Sequence, residues 1–373
     1  MTLLDPDAFL RQTNLVICCG SGGVGKTTTA AALGVRAASL GRNVLVMTID
    51  PARRLAQALG LNDLSHEPQP VALEAPGALA AMMLDPKSAF DALVRKHAPS
   101  PAARDAILSN RYYQQLAENF GGSRELISME QVLEYATADP ERLLIVDTPP
   151  AQHALDFLDA PRRVLGLLDG SLTDAILKPY QSIARAQFQF FRQSSAMTLK
   201  FVERITGANL ITELGEFLNA FSVLFDGFRE RAEAVRGLMA RQSTGFLLVC
   251  APEPMSLREV NRFAARLNAE PLRSLGVLVN RASPATVQAV ATGERLSLED
   301  LDFLDSDLRA PVEALLAAAA QRSALELCGI EAYLGTGSSS ELRDLPWRVL
   351  PSLSSDLHSL ADLERYTELW RSA

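Results

Sequence analysis

The chain has 373 residues, 48% hydrophobic and 21% charged, and its 36 Lys and Arg stand against 44 Asp and Glu for a formal net charge of -8. Such a composition is globular and long enough to bury a core without disulfides or structural metals. It is too acidic for nucleic acid, or an anionic lipid surface held by charge alone, to be the main partner.

Met1–Leu10 carries two acids and no apolar run of signal-peptide length. Nowhere does the sequence hold the roughly 18–20 apolar residues a membrane helix needs. The four cysteines, Cys18, Cys19, Cys250 and Cys328, make no C-x-x-C pattern. A disulfide framework and a zinc site are therefore not expected, and a reducing, cytoplasmic setting is.

Leu15–Cys19 is the first of five short apolar runs that read as buried parallel strands, because polar alternation is missing. It leads into a glycine-dense loop and a helical stretch, Thr28–Leu40. Val44–Ile49 follows and ends at Asp50, then Leu143–Val146 ends at Asp147. Phe246–Cys250 precedes helical Leu257–Leu267, and Leu275–Val279 ends at Asn280. Strand then helix, repeated, predicts an α/β fold with a doubly wound, mostly parallel sheet.

Between about Leu165 and Gly245 the rhythm changes to helical periodicity alone. Leu214, Phe217, Leu218, Phe221, Leu224, Phe225 and Phe228 recur at three- and four-residue spacing, so they share one helix face. The expected organisation is a core in two parts, residues 1–164 and 246–373, with an all-helical insertion at 165–245. Gly335–Ser340 reads as a mobile loop, and Glu299, Asp300, Asp302, Asp305 and Asp307 as a solvated surface.

The loop after the first strand, Gly20-Ser21-Gly22-Gly23-Val24-Gly25-Lys26-Thr27, matches G-x-x-x-x-G-K-[ST] in the strand–loop–helix setting the motif requires. A chance match is expected about 0.01 times in a chain of this length. Its glycines let successive N–H groups turn toward phosphate oxygens, and the helix N-terminus points its dipole at the same anion. Lys26 would reach the β- and γ-phosphates and Thr27 would ligate Mg²⁺, so Gly20 to Lys26 together with Thr27 and Thr28 are the candidate ATP-binding residues. Asp147, at the end of a central strand, is placed to hold the metal directly or through a water. Asp50, read onto a neighbouring strand, is the candidate for orienting the attacking water.

With the loop, Asp50-Pro-Ala and Asp147-Thr-Pro-Pro-Ala-Gln-His153, the chain resembles the arsenical-pump/tail-anchored-protein-targeting ATPases, deviant Walker A proteins of the P-loop class. The resemblance continues through Val249–Ser256, Gly276–Arg281 and Leu350-Pro351-Ser-Leu353. It implies that Asp50 activates water in switch I, Asp147 is the Walker B acid, and Thr148–His153 form switch II. It implies also that Asn280 reads the adenine edge with Pro351 packed near the base, and that the helical insertion can hold a hydrophobic client helix.

Two departures matter. Relatives carry a signature Lys, reaching across a dimer interface, where this chain has Ser21, as in a bacterial-type member lacking it. Arg53 or Arg54, a paralogous partner in a heterodimer, or slow turnover would each accommodate the change. There is no Cys between Cys19 and Cys250, so the thiol that an arsenite pump uses near switch II is missing. The expected function is a dimeric, homo- or heteromeric, slow ATPase switch acting on protein or membrane-associated clients. Its alternatives are an ATP-binding subunit that serves a partner ATPase, an arsenite-type pump ATPase, and a membrane-cycling partition ATPase.

Overall fold

The computed structural model describes residues 2–49, 54–85, 87, 91, 94, 95, 98, 100–110, 123–149, 159, 225–270, 272–295, 306–335, 338–353, 357 and 359–370. The chain divides into two compact units: Met1–Leu84, Glu134–Leu155 and Leu238–Ala373 form the first, Asp85–Leu133 and Asp156–Gly237 the second.

Among the described residues the first unit holds eight strands: β1 Leu15–Gly20, β2 Asn43–Thr48, β3 Gln69–Pro70, β4 Ala78–Met83, β5 Leu143–Asp147, β6 Thr244–Cys250, β7 Ser274–Ala282 and β8 Trp347–Pro351. They form one sheet in the order β3-β4-β2-β5-β1-β6-β7-β8. Every pairing is parallel except β3 with β4. β1, β5 and β6 are buried along their whole length, which is why they read as unbroken apolar runs. From β1 the chain builds one wing of the sheet (β2, β4), returns through β5, and then builds the other. The carboxyl end of β1 therefore lies where the strand order reverses, the usual ligand crevice of an open α/β sheet.

Helix α1 is Pro6–Gln12, α2 Lys26–Ser39 and α3 Arg54–Ala58. α1 starts on an Asp5 cap that accepts from the N–H groups of Asp7 and Ala8, with Pro6 at the first helical position. Arg36 of α2 donates to Asp7 at 2.8 Å and ties the two helices. α2 is nearly all small residues, and Ala30, Ala31, Ala32, Ala37 and Ala38 are fully buried, so it packs close to the sheet.

In the second unit the described elements are helical: α4 Pro101–Ser109, most of α5 Ser123–Ala138 and most of α6 Phe225–Met239. Arg231 of α6 pairs there with buried Glu130 of α5. Most of the insertion expected at 165–245, including the Leu/Phe face up to Leu224, lies outside the described residues. Returning to the first unit, α7 Pro254–Ala269, α8 Pro284–Thr292, α9 Ser306–Leu334 and α10 Leu360–Glu368 complete the chain.

The five expected strands form. Three others were not expected, for separable reasons. β4 (Ala-Leu-Ala-Ala-Met-Met) is poor in β-branched residues and gains its conformation from parallel pairing with β2. β3 is a two-residue edge strand containing Pro70, and β8 is interrupted by Arg348. The 335–340 segment is anchored where it is described: Ser338 donates to the Ala332 carbonyl and Ser340 to Asn261, the latter at 2.6 Å. No described helix is long and apolar enough to cross a membrane.

Phe246, fully buried on β6 between β1 and β7, is among the largest side chains of this core. Phe246→Ala is expected to cost about 3–5 kcal/mol, read as a lower denaturation midpoint at unchanged slope.

Candidate functional site

The glycine-dense loop is shaped first by what it excludes. Gly20 closes β1 beside β6, and a Cβ there would lie 1.9 Å from the Val249 carbonyl oxygen. Gly25 caps α2 at φ +93°, in the left-handed region, and a Cβ would meet the Asn280 amide nitrogen at 2.4 Å. No side chain caps the start of α2, so its first N–H groups are presented to the loop rather than consumed by a cap.

Two side chains of the loop point inward. Lys26 is buried, and its Nζ donates to the Ser21 carbonyl at 2.8 Å. The Ser21 hydroxyl is also buried and lies 3.2 Å from the Ser256 hydroxyl, which accepts from the Ala251 N–H. Where the resemblance places a long cation, this chain has a short side chain engaged with the first turn of α7.

The acid predicted beside the loop is there. Parallel pairing puts Asp147, the last residue of β5, opposite Cys18 of β1 and Thr48 of β2. Its Oδ2 accepts from the Thr27 hydroxyl at 2.7 Å and from Thr48 at 3.2 Å, at 1% exposure. Next to it, the Thr148 hydroxyl donates to the Cys18 carbonyl at 2.7 Å, fastening the start of the following segment to β1. The strand leading to Asp50 is not β1's direct neighbour, because β5 lies between β2 and β1. Chain order alone could not reveal that crossover. Asp50, Arg53 and Pro150–His153 lie outside the described residues, while Arg54 opens α3 and is exposed.

On the other side of the loop, Gly23, Gly25, Thr28, Asn280, Pro351 and Tyr366 contribute to a cleft of about 240 Å³. Asn280 is buried, donates from Nδ2 to the Val24 carbonyl at 2.9 Å, and accepts at Oδ1 from the Tyr366 hydroxyl at 2.9 Å. Pro351 ends β8, paired with Ala282. Thus Asn280 and Pro351, 71 positions apart by number (351 − 280), share one cleft with the phosphate loop. Tyr366, Ser256 and Thr48 escaped the sequence reading because each acts through a contact distant in sequence. Ser256 and Thr48 lie in segments the sequence does mark, Val249–Ser256 and Val44–Ile49, but not with these contacts.

Cys18, Cys19 and Cys250 are buried and Cys328 is exposed. Burial pushes the Cys19 thiol up to about 12, against smaller lowering by a Thr148 hydrogen bond and Lys26. Burial likewise raises Cys18, reinforced by Asp147 and Cys19, and raises Cys250. These three thiols stay protonated near neutrality, a poor state for soft-metal ligation.

The sheet order and the loop after β1 define an α/β protein of the P-loop nucleoside-triphosphatase fold. The model of the anion-transporting ATPase family matches residues 13–300, and the chain belongs to that family. It is similar to ATPase get3 of Botryotinia fuckeliana (strain B05.10), 28% identical over 265 residues that cover 70% of each chain. It is also similar to ATPase GET3 of Podospora anserina, 26% identical over 272 residues covering 73% of this chain and 74% of the relative. ATPase GET3 of Malassezia globosa is 24% identical over 270 residues, 71% and 72% of the two chains. The chain is accordingly an ATPase of this family.

Under native conditions at pH 8, a small alkylating reagent is expected to modify Cys328 alone, with Cys18, Cys19 and Cys250 reacting only after denaturation. Peptide mass mapping before and after unfolding checks this.

Proposed function

We propose that the chain is a slow ATP-driven switch, in a homodimer or a heterodimer with a related ATPase, whose clients are proteins or membrane-associated segments. The single observation that carries the reading is the meeting of Thr27 and Asp147 at 2.7 Å beneath the phosphate loop. A hydroxyl and a carboxylate oxygen are hard donors that suit Mg²⁺, and the helix N-terminus left without a side-chain cap suits phosphate. Thr27 and Asp147 would hold the metal, Asp147 directly or through a water. When bound, Mg²⁺ would neutralise charge developing on the phosphate oxygens.

The chain's own groups do the rest. Lys26, now on the Ser21 carbonyl, exchanges that neutral acceptor for phosphate oxygens. The open N-terminus of α2 and the loop N–H groups orient the anion. Asp50 orients the attacking water, a task that depends on position more than on basicity. Asn280 and Pro351 hold the base in the cleft beside Gly25.

Slow turnover is supported by Ser21: a hydroxyl engaged with Ser256 supplies no cation to a partner's phosphates. The same residue favours, as a second reading, an ATP-binding subunit that serves a partner ATPase. For the client site, support comes from the Leu/Phe spacing at 214–228, which makes an apolar helix face suited to a hydrophobic helix.

Thr27→Ala and Asp147→Asn are each expected to lower steady-state ATP hydrolysis by about 10–100-fold and to raise the Mg²⁺ concentration needed for half-maximal rate. A coupled phosphate-release assay across a Mg²⁺ titration checks both. In single-turnover hydrolysis, Asp50→Asn is expected to be markedly slower than wild type; equal rates would favour the binding-subunit reading.

A further inference from the structure

Arg281 is the one non-glycine residue among the described residues with positive φ, at +64°. Left-handed backbone is costly for a side chain of this kind and persists where the surroundings demand it. Arg281 is exposed, and what its side chain gains is a hydrogen bond at the surface, from Nη1 to the Gly23 carbonyl at 2.7 Å.

The conformation has a geometric result. Successive side chains of a regular strand point to opposite faces, so two neighbours cannot reach one loop. Here β7 loses regular register with β8 between Val279 and Ala282, and the left-handed residue falls inside that irregularity. Asn280 and Arg281 consequently converge on adjacent carbonyls of the phosphate loop, Val24 at 2.9 Å and Gly23 at 2.7 Å. In a planar trans peptide the carbonyl and the following N–H point in opposite directions. Holding the Gly23 carbonyl fixes the direction of the Val24 N–H, and holding the Val24 carbonyl fixes that of Gly25.

We infer that Arg281 is a positioning residue for phosphate binding: its strained backbone lets it join Asn280 in clamping two successive loop carbonyls, so that the N–H groups behind them face the anion before it arrives. The inference rests on the reading of this loop as the nucleotide site. Its cost falls on the folded chain and its benefit on the ligand, which separates it from a structural role.

Arg281→Gly removes the backbone cost together with the clamp, and Arg281→Asn, which also tolerates left-handed φ, serves as the second variant. Calorimetric titration with Mg–ADP is expected to give a Kd raised about tenfold in both, the scale of one charge-assisted hydrogen bond. Thermal midpoints without nucleotide are expected to equal wild type or lie about 2 °C above it for the glycine variant. An unchanged Kd in both variants overturns the inference alone, and so does a fall of midpoint and affinity together, the pattern of a structural residue. Wild type that takes up no Mg–ADP overturns the nucleotide reading itself, and this inference with it.

Discussion

Parallel pairing of β5 with β1 sets Asp147 opposite Cys18, and the chemistry of the site follows from that register. Side chains alternate along a strand, so a slip of one residue would turn the carboxylate to the other face of the sheet. The register is defended by burial on both faces: Leu144, Ile145 and Val146 are all fully buried, as are Val16 and Ile17 opposite them. Thr148 adds a side-chain bond from the end of β5 to the Cys18 carbonyl. The apolar core thereby does positional work, holding one oxygen of Asp147 where Thr27 and Thr48 both reach it.

Around this point the molecule keeps charged and polar groups buried by giving each a neighbour. Lys26 rests on the Ser21 carbonyl, Ser21 lies beside Ser256, and Ser256 accepts from Ala251. The Ser21–Ser256 contact ties the phosphate loop to the start of α7, on the side of the sheet opposite to β2. Beneath the loop, Cys18 and Cys19 behave as small apolar groups, their ionisation suppressed by burial.

Much of this was legible in residues 15–27, because a buried strand, a glycine-dense turn and Lys-Thr at a helix start are all local signals. Asp147 was legible for the same reason, an acid closing an apolar run. What chain order hides is adjacency. The sheet places β5 between β1 and β2, so the strand before Asp50 borders the one that ends at Asp147, an order no local pattern encodes. β4 was hidden by its alanines and methionines, whose extended form is imposed by the neighbouring strand. Nothing in the sequence marks the backbone of Arg281, since a left-handed conformation leaves no trace when the residue is not glycine.

The hydrogen bond from Tyr366 to Asn280 crosses 86 positions, and the one from Asn280 to Val24 crosses 256. One wall of the cleft therefore closes only after α10 has docked on the body that carries the glycine loop. A nascent or partly unfolded polypeptide can display the loop but not this enclosure, since ordering such distant segments carries its loop-closure cost beforehand. A molecule lodged in the cleft would touch stretches of chain far apart in sequence, so its binding would brace them together against unravelling.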